Sequence, residues 1–244
     1  MQIHVFHSAH QAGQAAATLI AAQLLRKPDS VLGLATGSTP IPAYEALVRM
    51  HEAGVLDFSR AVSFNLDEYV GLAPDHPCSY HYFMQEHLFS HVNIRPENVH
   101  IPDGHAADLA AAAHAYDEAI LAAGGIDLQL LGIGRNGHIG FNEPGEHFVY
   151  GCHRVALSSS TIQANQRFFD SEADVPRHAV SLGIGSIMQA RQVILIATGA
   201  EKAEAVRRAL EGDVSPLWQA SILRTHPDAI FLLDEAAASR LTRR

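Results

Sequence analysis

Seven short apolar runs, at 3–6, 31–35, 61–66, 98–101, 127–133, 192–197 and 229–233, alternate with longer segments of helical period along the 244-residue chain. The periodic segments fall at 9–25, 41–53, 79–91, 107–123, 201–210 and 216–223, with apolar residues recurring at three- and four-residue intervals. A strand that is apolar on both faces has to be covered on both, and a parallel neighbour is reached only through a crossover. The alternation therefore predicts an α/β fold, an open, mostly parallel, doubly wound (Rossmann-like) sheet with helices on both faces. No repeat, linker or low-complexity tract interrupts it, so a single domain is expected over residues 1–244.

Composition limits the partners. The formal net charge is −9 at pH 7, and nucleic-acid binding needs clustered Lys and Arg, so no such partner is expected. A small anion is another matter, because a few backbone N–H groups and one or two cations hold a phosphate even inside an acidic protein. Met1-Gln2-Ile3-His4-Val5 forms no basic region ahead of an apolar one, and no apolar stretch reaches bilayer length. A cytoplasmic protein without membrane contact is expected. The two cysteines, Cys78 and Cys152, lack CxxC spacing and read as free thiols. Among sixteen histidines, His4, His7 and His10 lie close in sequence, and His87 and His91 stand four apart in a helical segment. The Glu that a zinc protease motif needs after the first His is missing, and no metal is expected.

Ligands of open α/β sheets bind beyond the carboxyl ends of the strands, and three polar segments follow predicted strands directly. Thr36-Gly37-Ser38-Thr39-Pro40 offers backbone N–H groups and three hydroxyls to an anion at a helix start. A plain N-cap and turn with Pro40 at the first helical position would use the same residues. The segment is neither a Walker A loop nor GxGxxG, which argues against a nucleotide. At Phe64-Asn65-Leu66-Asp67-Glu68-Tyr69 two adjacent carboxylates end an apolar strand, where partial burial raises a pKa towards that of a useful base. Side chains alternate in extended chain, so one acid would face the site and the other the framework; two solvated loop acids would use the same residues. In the glycine-rich segment 131–145, His138 lies five positions before Glu143, with Asn136 and Asn142 nearby. A His oriented by a carboxylate is a proton-transfer unit at neutral pH.

Taken in order, ATGSTP, FNLDEYVGL and GIGRNGHIGFNEPG resemble the glucosamine-6-phosphate deaminase family, within the wider sugar-phosphate isomerase and lactonase superfamily. The likeness extends over nearly the whole chain, through Thr161-Ile162-Gln163-Ala164-Asn165-Gln166-Arg167 and Thr198-Gly199-Ala200-Glu201-Lys202. The resemblance implies an enzyme of amino-sugar (N-acetylglucosamine) catabolism that converts D-glucosamine 6-phosphate and water to D-fructose 6-phosphate and ammonia, with no cofactor. It makes Asp67 the base that moves a proton from carbon 2 to carbon 1, and His138 the group that opens the pyranose ring. Glu143 and Asn136 would support His138. Asn136 stands where one form of the family has Asp; an amide fixes a ring by hydrogen bonding but carries no charge, which shifts the weight to Glu143. The same likeness assigns the phosphate to Gly37, Ser38, Thr39, Arg167 and Lys202. Without it, Arg167 and Lys202 read as exposed helix-surface cations.

Two rivals share the fold. A 6-phosphogluconolactonase would lack the Asn142-Glu143-Pro144 run and the Asp-Glu-Tyr segment. A non-catalytic sugar-phosphate sensor would have no need of acids at 67 and 143 with a His between. Tyr80, Tyr82, Phe83 and Trp218 read as core packing. Some family members are hexamers activated by N-acetylglucosamine 6-phosphate; for this chain a monomer or small homo-oligomer without strong allostery is expected.

Overall fold

The apolar runs form strands and most periodic segments form helices in the computed structural model, which describes residues 1–242. The first elements are β1 (Gln2–Phe6), α1 (Ala9–Arg26), β2 (Val31–Leu34), α2 (Ile41–Glu52), β3 (Val62–Asn65) and β4 (Asp67–Tyr69). Next come α3 (Tyr80–His87), β5 (Val99–His100), α4 (Leu109–Ala122), β6 (Leu128–Leu131), β7 (His153–Ala156) and α5 (Ser159–Asn165). The last are β8 (His178–Ser181), α6 (Ile184–Met188), β9 (Gln192–Ala197), α7 (Ala203–Glu211) and β10 (Ala229–Asp234). Local chemistry sets the helix starts: the Ser8 side chain accepts from Gln11 N at α1, and Asp108 accepts from Ala110 N and Ala111 N at α4.

Seven strands form a parallel sheet in the order β1-β10-β9-β6-β2-β3-β5. Strands β2, β6 and β10 are buried at every position, as strands covered on both faces must be. Helix α1 contributes Ala12, Ala16, Ala17, Ile20 and Leu24 to the main core. No helix among the described residues is long and apolar enough to cross a membrane.

A second, antiparallel sheet of β4-β8-β7 was not anticipated. Its strands are three or four residues long and mix polar with apolar side chains, so no apolar run announces them. One residue joins the two sheets. Leu66 N donates to Leu34 O at the end of β2, while Leu66 O accepts from Leu182 N just past β8. Asp67 is thereby fixed at the carboxyl end of β3. A smaller core of Tyr69, Phe141, Leu157, Ile162, Val175 and Ala179 packs against this sheet.

Two helical expectations need correction. The segment expected at 79–91 is α-helical only to His87 and ends in the 3-10 turn Phe89–His91. The helix expected at 216–223 is a 3-10 segment, Gln219–Thr225. There the Pro216 carbonyl accepts from Gly145 N and from the Gln219 side chain, which diverts it from an α-helical partner.

Candidate active site

Topology sets where a ligand lies. From β2 the chain moves outward to β3 and β5, whereas from β6 it moves the other way to β9 and β10, so the crevice beyond β2 and β6 is the switch point. The segments leaving β2, β6 and β9 open there, facing Asp67 and α5 with its continuation, the 3-10 turn Gln166–Phe168. They line a cavity of about 680 Å³.

Gly37, Ser38 and Thr39 line one end. Helix α2 has Pro40 at its cap with no side-chain bond, so none of the hydroxyls at 36, 38 and 39 is used to start it. That removes the plain N-cap alternative. Gly37 has φ 97°, a conformation that favours glycine, and among the described residues the amides of 37–39 meet no acceptor. Two cations stand beside them. Arg167 Nη2 lies 3.4 Å from Ser38 Oγ, and Lys202 Nζ donates to Ile133 O at 2.7 Å. Lys202 is no exposed surface cation. Burial holds its pKa below the usual value; Glu201 opposes this, while Arg135 and Arg167 lower it further. Amide donors, a forked guanidinium and a half-buried ammonium form a phosphate-type cradle.

Asp67 lies on the cavity wall and Glu68 turns away, the division that strand alternation requires. Glu68, 2% exposed, accepts from Tyr69 N, Tyr80 N and His81 N and contacts His81 Nδ1 at 2.9 Å, tying β4 to the start of α3. Asp67 is 6% exposed and takes no hydrogen bond from any described residue. Burial first, and the Glu68 charge second, push its carboxyl up to about 8.

His138 also faces the cavity, and Glu143 stands behind it. The ring rests against backbone at Gly134, where a Cβ would come within 2.4 Å of it, so a side chain at this position would displace the ring. His138 Nδ1 is 3.6 Å from Glu143 Oε2, beyond hydrogen-bonding reach. Asn136 bridges them differently from the expected contact with the ring: its Nδ2 donates to Glu143 Oε2 at 2.7 Å, and its Oδ1 accepts from His138 N at 3.3 Å. Burial opposes ionisation of Glu143, but His138, Thr161 and Asn136 together hold its carboxyl down at about 2. The cavity wall therefore carries one acid that resists losing its proton, Asp67, and one His with an ionised carboxylate, that of Glu143, behind it.

Comparison with known proteins decides the family. A model of glucosamine-6-phosphate isomerases/6-phosphogluconolactonase matches residues 6–231. This chain belongs to that family. Within the family, a glucosamine-6-phosphate deaminase of Halothermothrix orenii is 52% identical over 241 residues, covering 99% of this chain and 100% of the relative. One from Clostridioides difficile is 54% identical over 226 residues, covering 93% and 91%. A solved monomeric glucosamine-6-phosphate deaminase superposes with a TM-score of 0.96 at 44% identity, covering 98% of this chain and 99% of its own. The 6-phosphogluconolactonase of Trypanosoma brucei reaches a TM-score of 0.80 at 24% identity, a likeness of fold alone.

Some residues around this cavity were missed or misread. Tyr80 and Phe83, read as core packing, line the cavity; Tyr80 stands 4.9 Å from the Tyr69 ring and 6.0 Å from that of Phe141, making an apolar wall. Trp218 is a packing residue, set over Gly137. Thr161 and Ser158 hold Glu143 from the far side, and nothing in their spacing beyond a helix start points there. The histidines stay outside: His7 pairs with Glu235, His87 packs on Phe83 and His91 meets Glu86 O.

Proposed function

We propose that this chain is a glucosamine-6-phosphate deaminase, acting as one domain over residues 1–244. The observation that carries the reading is the meeting, in one cavity, of an unpartnered buried Asp67 and a Glu143-backed His138 beside a phosphate-type cradle. Relatives named for this activity at about half identity over the whole chain support it.

The chemistry follows from the placement. The sugar phosphate is held by the 37–39 amides, Arg167 and Lys202, which leaves the ring towards Asp67 and His138. His138 relays a proton from the carbon 1 hydroxyl to the ring oxygen, opening the pyranose and exposing the carbonyl that acidifies the carbon 2 hydrogen. Asp67 takes that hydrogen as a proton and returns it to carbon 1. The imine left at carbon 2 adds water and releases ammonia, giving fructose 6-phosphate. A base whose pKa is raised by burial matches a weakly acidic carbon hydrogen. No step needs a cofactor. A monomer or small homo-oligomer in the cytoplasm fits the monomeric solved relative and two unpaired thiols.

The test is a coupled assay of ammonia and fructose 6-phosphate from D-glucosamine 6-phosphate with chelator-treated protein. Equal amounts of both products are expected. Hydrolysis of 6-phosphogluconolactone without ammonia would replace the reading with a lactonase, and binding without turnover would replace it with a sensor.

A further inference from the structure

The carboxylate of Glu143 is held at both oxygens by different parts of the chain. Oε2 faces its own loop, where Asn136 donates at 2.7 Å and His138 Nδ1 lies 3.6 Å away. Oε1 faces α5. Thr161 Oγ1 donates to it at 2.5 Å and Ser158 N at 3.3 Å. Glu143 is ionised and only accepts, so the Thr161 proton is directed to it, while the Ser158 hydroxyl lies 3.0 Å from Thr161 Oγ1. Thr161 is 4% exposed. Its hydroxyl is not needed to start the helix, since the Ser158 side chain caps α5 by accepting from Thr161 N.

Helix α5 leads to the other end of the cavity. It runs from Ser159 to Asn165 and passes directly into the turn that carries Arg167, whose guanidinium lies 3.4 Å from Ser38 Oγ. One continuous short segment, α5 and the turn that follows it, thus touches the phosphate-type cradle at one end and the acid behind His138 at the other.

We propose that Thr161 is a positioning residue for the ring-opening step, through which the arrival of a phosphate at Arg167 and Ser38 sets Glu143 against His138. The inference rests on the reading of the site as a sugar-phosphate isomerase and deaminase, and it adds a mechanical link between the two ends. Glu143 is the carboxylate set against His138 Nδ1, and among the described residues Thr161 is the only side-chain donor to that carboxylate from outside the His138 loop. Substituting Val keeps the shape and removes the donor; substituting Ser keeps the donor.

The first measurement is kinetic. Thr161→Val is expected to lower kcat on the order of 10–100-fold with KM for glucosamine 6-phosphate within about twofold, and Thr161→Ser to restore most of it. The second needs no turnover: NMR of the His138 ring, assigned by its loss in His138→Gln, while inorganic phosphate is added. The ring signal is expected to move in the wild type and in Thr161→Ser, and to stay still in Thr161→Val. A signal that moves equally in Thr161→Val, or stays still in the wild type, overturns the link. Equal loss of kcat in the Ser and Val variants overturns the role of the hydroxyl. Failure of the wild type to release ammonia is a separate result that bears on the reaction instead.

Discussion

A buried carboxyl without a donor keeps its proton until well past neutrality, and Asp67 meets both conditions. On the proposed reading it works only when ionised, so kcat/KM is expected to rise with pH along a limb centred near 8. Asp67→Asn should remove that limb and lower kcat by roughly 10²–10⁴-fold, with KM little changed because the phosphate end is untouched. Stability follows the same proton. The folded pKa lies above the ordinary 3.8, so the stabilisation from the protonated acid is full below about pH 4 and is lost as pH rises through about 8. An amide does not titrate, and the Tm of Asp67→Asn minus that of the wild type is therefore expected to grow between pH 5 and pH 9, by about 2–4 °C per kcal/mol recovered. A flat difference would show that Asp67 titrates normally. At this scale the sequence was informative where strand alternation alone separates Asp67 from Glu68. It was silent on Thr161, because a hydroxyl three residues into a helix start looks the same whether or not a carboxylate from elsewhere reaches it.

Strand β4 is only three residues long, and Glu68 adds side-chain bonds to its short ladder with β8. That carboxylate collects Tyr69 N, Tyr80 N, His81 N and the His81 ring, thereby capping α3 and holding Asp67 at the crevice. Glu68→Ala leaves buried amides without an acceptor and is expected to lower stability by roughly 2–4 kcal/mol, measured by urea unfolding. A loss under about 0.5 kcal/mol would show that β4 stands without it. The long strands and helices were legible because their apolar periods recur over many residues, as in α1 and β9. The β4-β8-β7 sheet was not, since its half-polar strands owe their pairing to Leu66 and to partners far along the chain. The 3-10 segment Gln219–Thr225 was misread for a related reason: its apolar spacing is helical, but a side chain takes the carbonyl that would have continued an α-helix.

At the scale of the molecule, the reversal of strand order between β2 and β6 places segments from distant parts of the chain around one cavity. All of the groups in the proposed chemistry come from this one chain. A monomer or small homo-oligomer in light scattering, with a hyperbolic rate curve, is expected; a sigmoidal curve abolished by N-acetylglucosamine 6-phosphate would overturn this. The sheet closes at its edge by pairing β1 with β10, from Gln2 beside Ile230 to Phe6 beside Asp234. On the ribosome, β1 thus emerges almost a whole chain ahead of its sole partner strand. Nascent chains stalled before β10 are expected to keep β1 open to protease, and protection to begin only when β10 clears the exit tunnel, which makes the finishing of this sheet an event timed by the emergence of β10.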